Sequence, residues 1–568
     1  MVTPGNAAAS NTSALLEEGA HAVATHGVGR SRLSTAADVG SEFEYKRQAR
    51  ENRRVMYHAH IGLGTWPATR TALHEITDAL ESDGHRLDRF GLCLESAMGL
   101  PEEQRGAAQK ETGPRLEAED WDDVANAVTA QPHLGDFVIG TPASLENTVR
   151  ALAVGITTLG NIGQYFSFDP PGGWDEHQLR DATLRALGAM AYARPQGAIV
   201  HSYLDDGPAM QFSTYGNYLA WAALEKHILN DLLGVRVAHC FGGLVPQLPA
   251  RAFLALALLE MQGTDGVGSM IYGNTVDYGR DLARNRSVLD DYLLVDIATQ
   301  LAAPTGHALN PVPLTENIRI PNAAEVIDVQ LAAREVEIEA RRSSDLFDWS
   351  RLDVEVKTAV AYAESASSRI IEYLVEQGVD RTDPGSLLLA LRHTEIRKLE
   401  RIVDIKPPPG LASLEPWKAS TAKGLVGQIE AHAETRLDGV RVVVAGLDVH
   451  DLAHDVLAAA LPNLGAEVIS LSSGSTPEAA TNAAVAEDAD AIVVSTYNGA
   501  AAALGKRLAA AATEQGFDGP ILIGGVLNQD DGSGLPVDVH DELRRLGLLC
   551  PTTLAEVPRL ISKGVPST

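Results

Sequence analysis

At 568 residues the chain has room for more than one domain, each with its own core, and 45% hydrophobic residues is a globular composition. The 46 Lys and Arg against 75 Asp and Glu leave a formal charge of −29, which argues against nucleic acid or an anionic membrane as partner. Cys93, Cys240 and Cys550 lie too far apart to suggest a disulfide framework or thiolate metal site, and no apolar run has membrane-spanning length or the form of a signal core.

These features predict a soluble, cytoplasmic protein. Residues 1–40, rich in Ala, Ser, Thr and Gly without apolar periodicity, predict a mobile tail. The basic stretch 42–54 (EFEYKRQARENRR) predicts a helix with a solvated face rather than a phosphate-binding patch.

From residue 55 to about 334 one theme repeats: an apolar run, then glycine or polar residues, then a helical stretch. Strands are predicted at 55–61, 90–94, 136–139, 156–159, 198–203, 235–240, 266–271 and 308–314, with helices between them at 68–80, 144–153, 178–193, 218–233, 249–262 and 289–301. Eight such units predict a (β/α)8 TIM barrel over 41–345, with a doubly wound sheet as the alternative. In a barrel the residues after the strands face the active site. Here they include His58, His60, Glu95, Thr141, Asn161, Tyr165, His201, Tyr203, Asp205, His239, Tyr272 and Asn274. His58 and His60, two apart on one strand, point the same way. They serve either to hydrogen-bond substrate and move a proton or simply to pack the barrel, and a metal site with His201 and His239 is a further alternative. Asp205-Asp206 either binds a substrate cation or forms a solvated loop. Trp66, Trp174 and Trp221 read as packing residues.

Two amphipathic helices, 354–376 and 386–400, predict a helical cap or dimer surface. Lys406-Pro-Pro-Pro-Gly410 is stiff and marks a linker, so 346–436 reads as a helical segment and linker before a domain at 437–568.

That last domain turns on 442–453, VVVAGLDVHDLA. A β-branched run ending in glycine predicts a buried parallel strand, and Asp448-x-His450 follows where α/β sheets bind ligands. A carboxylate two residues before a histidine can hold one ring nitrogen and raise the basicity of the other, as a metal-bound imidazole requires. Further strands at 466–471, 491–494, 520–523 and 547–550 alternate with helices at 451–461, from Thr476, at 504–515 and from Leu554, predicting a doubly wound sheet. Ser495-Thr496-Tyr497 and Gly524-Gly525 lie at the same strand ends.

This constellation, set against the pattern Asp-x-His-x-x-Gly, then Ser-x-Leu, then Gly-Gly, resembles the flavodoxin-like (Rossmann-like) cobalamin-binding domain of B12-dependent mutases and methionine synthase, and most of all the small subunit of glutamate mutase. The resemblance implies that His450 displaces the benzimidazole and coordinates cobalt, with Asp448 behind it. It also implies that Ser495 contacts the displaced nucleotide tail and that Gly524 and Gly525 make room for it. Ala453 and Tyr497 depart from the family's glycine and leucine. The barrel half resembles the large glutamate mutase subunit, through Gly140-Thr141-Pro142, 159–165 and 312–321 (VPLTENIRIP). That resemblance implies that Glu316 holds the ribose of a deoxyadenosyl group and that Tyr165 lies near substrate. Two subunits would then be fused in one chain.

The family grips glutamate's two carboxylates with arginines, yet those positions fall in 61–64, near Gly99 and on Val138. The family's amino-group glutamate falls on Leu159, and a lysine near the cofactor ribose falls on Val312. Without guanidinium forks a pocket has little to offset the desolvation of a dicarboxylate. Arg53, Arg54 and Arg70 are possible substitutes. The expectation is an adenosylcobalamin-dependent radical isomerase, a homodimer, rearranging a small non-CoA acid or amino acid other than glutamate. Its catalytic residues would be Tyr165, His58, His60 and His201. Glutamate mutase with a relocated grip, a corrinoid methyltransferase and a non-enzymatic cobalamin sensor are the alternatives.

Overall fold

Short apolar runs bounded by Gly, Pro and polar residues form most of the expected strands in the computed structural model, which describes residues 12–564 except 107, 109–112, 169, 171–173, 264–265, 345–346, 434, 449, 472–473, 498 and 530–536. The chain divides into two compact units, Met1–Phe166 with Trp174–Trp417, and Ser167–Gly173 with Lys418–Thr568. No helix among the described residues is long and apolar enough to cross a membrane.

Among the described residues, the first unit has eight strands: β1 (Met56–Ile61), β2 (Arg89–Leu92), β3 (Gln131–His133), β4 (Thr158–Leu159), β5 (Ile199–Tyr203), β6 (Val237–Cys240), β7 (Met270–Tyr272) and β8 (Ala308–Asn310). They pair in the orders β3-β2-β1-β8-β7 and β4-β5-β6, all parallel. Isolated parallel bridges, Leu134 with Leu159 and Phe241 with Ile271, join the two sheets at both ends, so every strand has a parallel neighbour on each side. Parallel neighbours require a crossover, and helices such as Trp66–Ser82, Ser144–Ala153, Glu176–Tyr192, Leu248–Gln262 and Leu282–Ala302 supply it.

The third strand corrects the sequence reading. It is Gln131–His133, and the apolar run at 136–139 is instead a buried turn, with Phe137 at φ 60° and Gly140 at φ 89°. Gln-Pro-His has little strand propensity. Pairing decides it, through Arg89 with Gln131 and Gly91 with His133.

The basic helix also differs from expectation. It is Glu42–Glu51, and Glu42 and Lys46 are buried rather than solvated. The Lys46 ammonium donates to the carbonyls of Gly268 (3.0 Å), Ser269 (2.7 Å) and Gly306 (2.8 Å), which lie just before β7 and β8. Glu42 pairs with the fully buried Arg89 at 2.6 Å. The helix therefore closes the N-terminal ends of these strands.

Residues 12–26, expected to be mobile, form a helix on Glu176–Tyr192. The approach is close enough that a Cβ at Gly19 would lie 1.8 Å from the Arg185 carbonyl, and one at Gly188 would lie 2.3 Å from that of Leu16. Residues 1–11 lie outside the described residues. Ser350–Glu376 packs on Tyr215–Lys226, where the Tyr362 hydroxyl donates to Asn217 at 2.7 Å. The helix expected at 386–400 is divided into Pro384–Arg392 and Ile396–Val403.

The second unit is a parallel sheet of β9 (Arg441–Gly446), β10 (Glu467–Ser470), β11 (Ala491–Thr496) and β12 (Ile521–Gly525) in the order β10-β9-β11-β12. The expected strand at 547–550 is reduced to a parallel bridge between Leu549 and Leu522, which adds a fifth position beyond β12 and completes the flavodoxin-type order. Alternation along β9 and β11 sends Val443, Ala445, Ile492 and Val494 to one face, against Pro477–Ala486 and Ala501–Gln515. Val442, Val444 and Val493 go to the other, against Leu452–Asn463 and Val557–Gly564. Helix Trp417–His432, expected within the linker, covers this second face through the fully buried Ile429.

Candidate functional site

The order β10-β9-β11-β12 reverses direction between β9 and β11, and a crevice opens at the carboxyl ends of strands at such a point. The register sets Ser495 beside Gly446 on one side and beside Gly524 on the other. Asp448, just past β9, joins the two central strands. One oxygen accepts from the His450 amide (2.9 Å) and His450 Nδ1 (3.1 Å), while the other accepts from Thr496 Oγ1 (3.0 Å) and the Tyr497 amide (2.5 Å). Burial works to raise the Asp448 carboxyl. The hydrogen bonds from His450 and the Tyr497 amide outweigh it and hold the group below the usual carboxylate range.

With Nδ1 facing a carboxylate, the ring hydrogen sits there and Nε2 is left as the Lewis base. The His450 side chain is 48% exposed, so that nitrogen is reachable. Tyr497 packs along the imidazole with ring centroids 4.5 Å apart and planes inclined by 33°. The Ser495 hydroxyl is buried with no hydrogen-bond partner among the described residues. A Cβ on Gly524 would meet nothing nearer than Pro551 at 3.6 Å, whereas one on Gly525, at φ 105°, would strike the Thr496 carbonyl at 2.0 Å. An oriented imidazole with an open nitrogen, an orphaned hydroxyl and a bare glycine floor fit a corrinoid whose own base has been displaced. Ala453 lies half-buried in the first turn of Leu452–Asn463 and does not enter these contacts.

In the first unit, His58, His60 and His201 converge and bring in His133, which the sequence reading missed. Ring centroids are 4.7 Å apart for His58–His60, 6.1 Å for His58–His133 and 4.4 Å for His133–His201. Burial first, and then neighbouring cations and imidazoles, push all four down, His60 to about 3, so they are neutral rings. His133 Nδ1 donates to the Thr158 carbonyl at 3.2 Å and His201 Nδ1 lies 2.7 Å from Ser269 Oγ, but neither ring nitrogen of His58 has a hydrogen-bond partner among the described residues. His239 turns away to Glu225, at 3.1 Å. Among the described residues no group of three or more His, Cys, Asp or Glu could hold a metal ion, so the alternative of a histidine metal site is not assembled.

At the carboxyl ends of β1, β7 and β8, a small cavity is lined by His60, Tyr272, Asn310, Val312 and Glu316. Burial alone pushes the Glu316 carboxyl up to about 7. Asn310 Nδ2 lies 3.3 Å from His60 Nδ1, and Tyr203 stacks on Tyr272 at 5.8 Å. Among the described residues, no lysine or arginine lines this cavity. Arg115 has both forks on the buried Glu95, at 2.8 and 2.9 Å. Arg54 pairs with Asp88 before β2, and Arg70 pairs with Asp123.

Other expected residues have different surroundings. Tyr165 is fully buried, its ring lies under Arg392 at 5.4 Å, and its other charged neighbours are on Glu176–Tyr192, so it does not join the histidines. Asp205 is not solvated. It accepts from the Tyr218 hydroxyl (2.9 Å) and the Gly242 (2.8 Å) and Leu244 (3.0 Å) amides. Asn161 bridges Asp136 and Asp206, each at 3.3 Å. Asn274 donates to Asp277, and Thr141 is buried. Trp66 and Trp221 are core residues.

Residues 439–535 match the B12 binding domain family. Among solved structures, the chain is similar to a novel cobalamin-binding protein from Desulfitobacterium hafniense DCB-2, at 13% identity over 36% of this chain and 97% of that one, with a TM-score of 0.21. No curated protein matches the chain. The carboxyl-terminal part of the chain carries a B12-binding domain.

Proposed function

We propose that the chain is an adenosylcobalamin-dependent mutase, with the eight-stranded unit a (β/α)8 barrel that holds the substrate and the carboxyl-terminal unit the holder of the cofactor. The observation that carries this reading is the Asp448–His450 pair, a carboxylate on Nδ1 and an accessible Nε2 at the switch point of a B12-binding domain. His450 Nε2 would bind the cobalt, and Asp448 would fix the tautomer and direction of the imidazole. Ser495 hydrogen-bonds the displaced nucleotide tail over Gly524 and Gly525, and Tyr497 walls the imidazole. The ring of parallel neighbours around β1–β8 supports the barrel.

When bound, adenosylcobalamin supplies a deoxyadenosyl radical by homolysis of its cobalt–carbon bond. Glu316 would hold the ribose diol of a deoxyadenosyl group. His60, Tyr272 and Asn310 offer neutral hydrogen bonds to the substrate. The substrate is a small acid or amino acid without a coenzyme A handle. Glutamate is disfavoured, because a dicarboxylate needs fixed cations and the cavity at Glu316 has none. The active form is a homodimer.

The test is anaerobic absorbance and EPR on the full chain reconstituted with adenosylcobalamin, with and without a panel of small acids and amino acids. A cob(II)alamin-coupled radical that one candidate alone elicits supports the mutase and identifies its substrate class. A signal with glutamate overturns the argument from missing cations. Methyl transfer from methylcobalamin, with no homolysis of adenosylcobalamin elicited by any candidate, makes the chain a methyltransferase instead.

A further inference from the structure

The segment carrying His450 is fastened at two places. The first is Asp448, on the end of β11. The second follows immediately after the histidine. Asp451 accepts from Lys418 Nζ at 2.6 Å, and Asp455, one turn further on, lies 3.3 Å from the same ammonium. The other Asp455 oxygen meets His454 Nδ1 at 3.1 Å, and His454 Nε2 reaches Ser470 Oγ, at the end of β10, at 2.8 Å. Lys418 stands at the start of helix Trp417–His432, and its side chain is 8% exposed.

Two features distinguish this network from ordinary packing. Asp451 occupies the N-cap position of Leu452–Asn463, where an aspartate normally accepts from the first-turn amides, yet its side chain makes no capping bond. It forgoes a stabilising contact to face Lys418. A buried ammonium between two carboxylates also carries a desolvation cost, and an apolar residue beside Ala422, Leu425 and Ile429 would serve stability as well. What the network adds is direction, since it fixes the backbone next to His450.

We propose that Lys418 is a positioning residue for cobalt ligation, holding Asp451 so that the imidazole of His450 stands ready to bind the metal. The inference rests on the cobalamin reading above. The full chain, grown with histidine labelled by nitrogen-15, is saturated with cob(II)alamin and its EPR spectrum recorded. A single axial imidazole splits the cobalt lines into doublets. Loss of the doublets in His450→Ala, with wild-type doublets present, confirms the underlying reading. Their persistence in that variant means that another histidine ligates the cobalt and overturns the assignment of His450, on which the proposal rests.

In Lys418→Met, the fraction of cobalt showing doublets falls at full occupancy and the cobalamin Kd rises about tenfold, while Lys418→Arg restores both. Full doublets and wild-type Kd in Lys418→Met overturn the proposal, whatever happens to its melting temperature. If Lys418→Met fails to fold, Asp451→Asn carries the same readouts, and unchanged doublets and Kd in it overturn the proposal equally.

Discussion

Replacing Asp448 by Ala separates the orientation of His450 from its presence. The carboxylate accepts four hydrogen bonds, two from His450 and two from the end of β11. Removing it leaves the Tyr497 amide and Thr496 hydroxyl without this acceptor and frees the imidazole to turn and to change tautomer. Loss of a carboxylate behind a metal-bound histidine typically weakens metal affinity about 10–100-fold, or roughly 1.4–2.7 kcal/mol. Hydrogen bonds to a charged group contribute about 1.5–3 kcal/mol each, and the two that hold β11 are the ones lost to the fold, so the domain should also melt earlier. The assay is a spectrophotometric titration of the variant with hydroxocobalamin beside His450→Ala, with thermal melting of each in the ligand-free state. The expected order of affinity is wild type, then Asp448→Ala, then His450→Ala. If Asp448→Ala binds as tightly as wild type and gives the same histidine-ligated spectrum, the carboxylate does not orient the ligand.

Glu316 should remain protonated over more of the acid range than an ordinary carboxyl, since burial pushes it up to about 7 from 4.5. The sign follows from proton binding: between those values the folded chain binds the extra proton, so stability falls as pH rises through this window, and Glu316→Gln removes that slope. Urea unfolding of both proteins at several pH values checks it, and parallel curves would refute it. Gly525→Ala should unfold the carboxyl end of β12 or abolish cobalamin binding, because the new methyl meets the Thr496 carbonyl at 2.0 Å in a left-handed backbone. Gly524→Ala, with nothing nearer than 3.6 Å, should fold normally, and circular dichroism with cobalamin titration distinguishes the two. Asp296→Ala strands the fully buried Arg251 guanidinium, which the carboxylate holds at 2.6 Å, and should cost about 3–5 kcal/mol in denaturant unfolding. A loss under 1 kcal/mol would place the pair among exposed ones.

The carboxyl-terminal unit was legible because its central strands, β9 and β11, are buried on both faces and read as apolar, β-branched runs, with Asp448, Ser495 and Gly524 placed at strand ends by chain direction alone. Lys418 and helix Trp417–His432 were not, since the prolines at 407–409 suggested a linker and nothing local ties Lys418 to Asp451. In the first unit, seven of the strands overlap the expected stretches, five of them wholly inside and some over only two or three residues. β3 escaped because its residues are polar and its strand state comes from β2. Losing β3 also hid His133, which belongs with His58 and His201 only through that pairing. Helix Thr12–His26 escaped for another reason. It is held by close backbone approach at Gly19 and Gly188, which needs small residues and leaves no apolar stripe to read. Tyr165 was placed by resemblance, and its position against Arg392 follows from helices distant in sequence.

The helix Glu42–Glu51 bears on how the chain can be cut. Trimming the chain to begin at β1 looks harmless if the leading residues are regarded as a tail. It would strip three carbonyls ahead of β7 and β8 of their shared ammonium and leave Arg89, at the heart of the strand ends, with an unbalanced charge. Expression trials that shorten the amino terminus should therefore stop before Glu42, and a version lacking it should accumulate as insoluble protein.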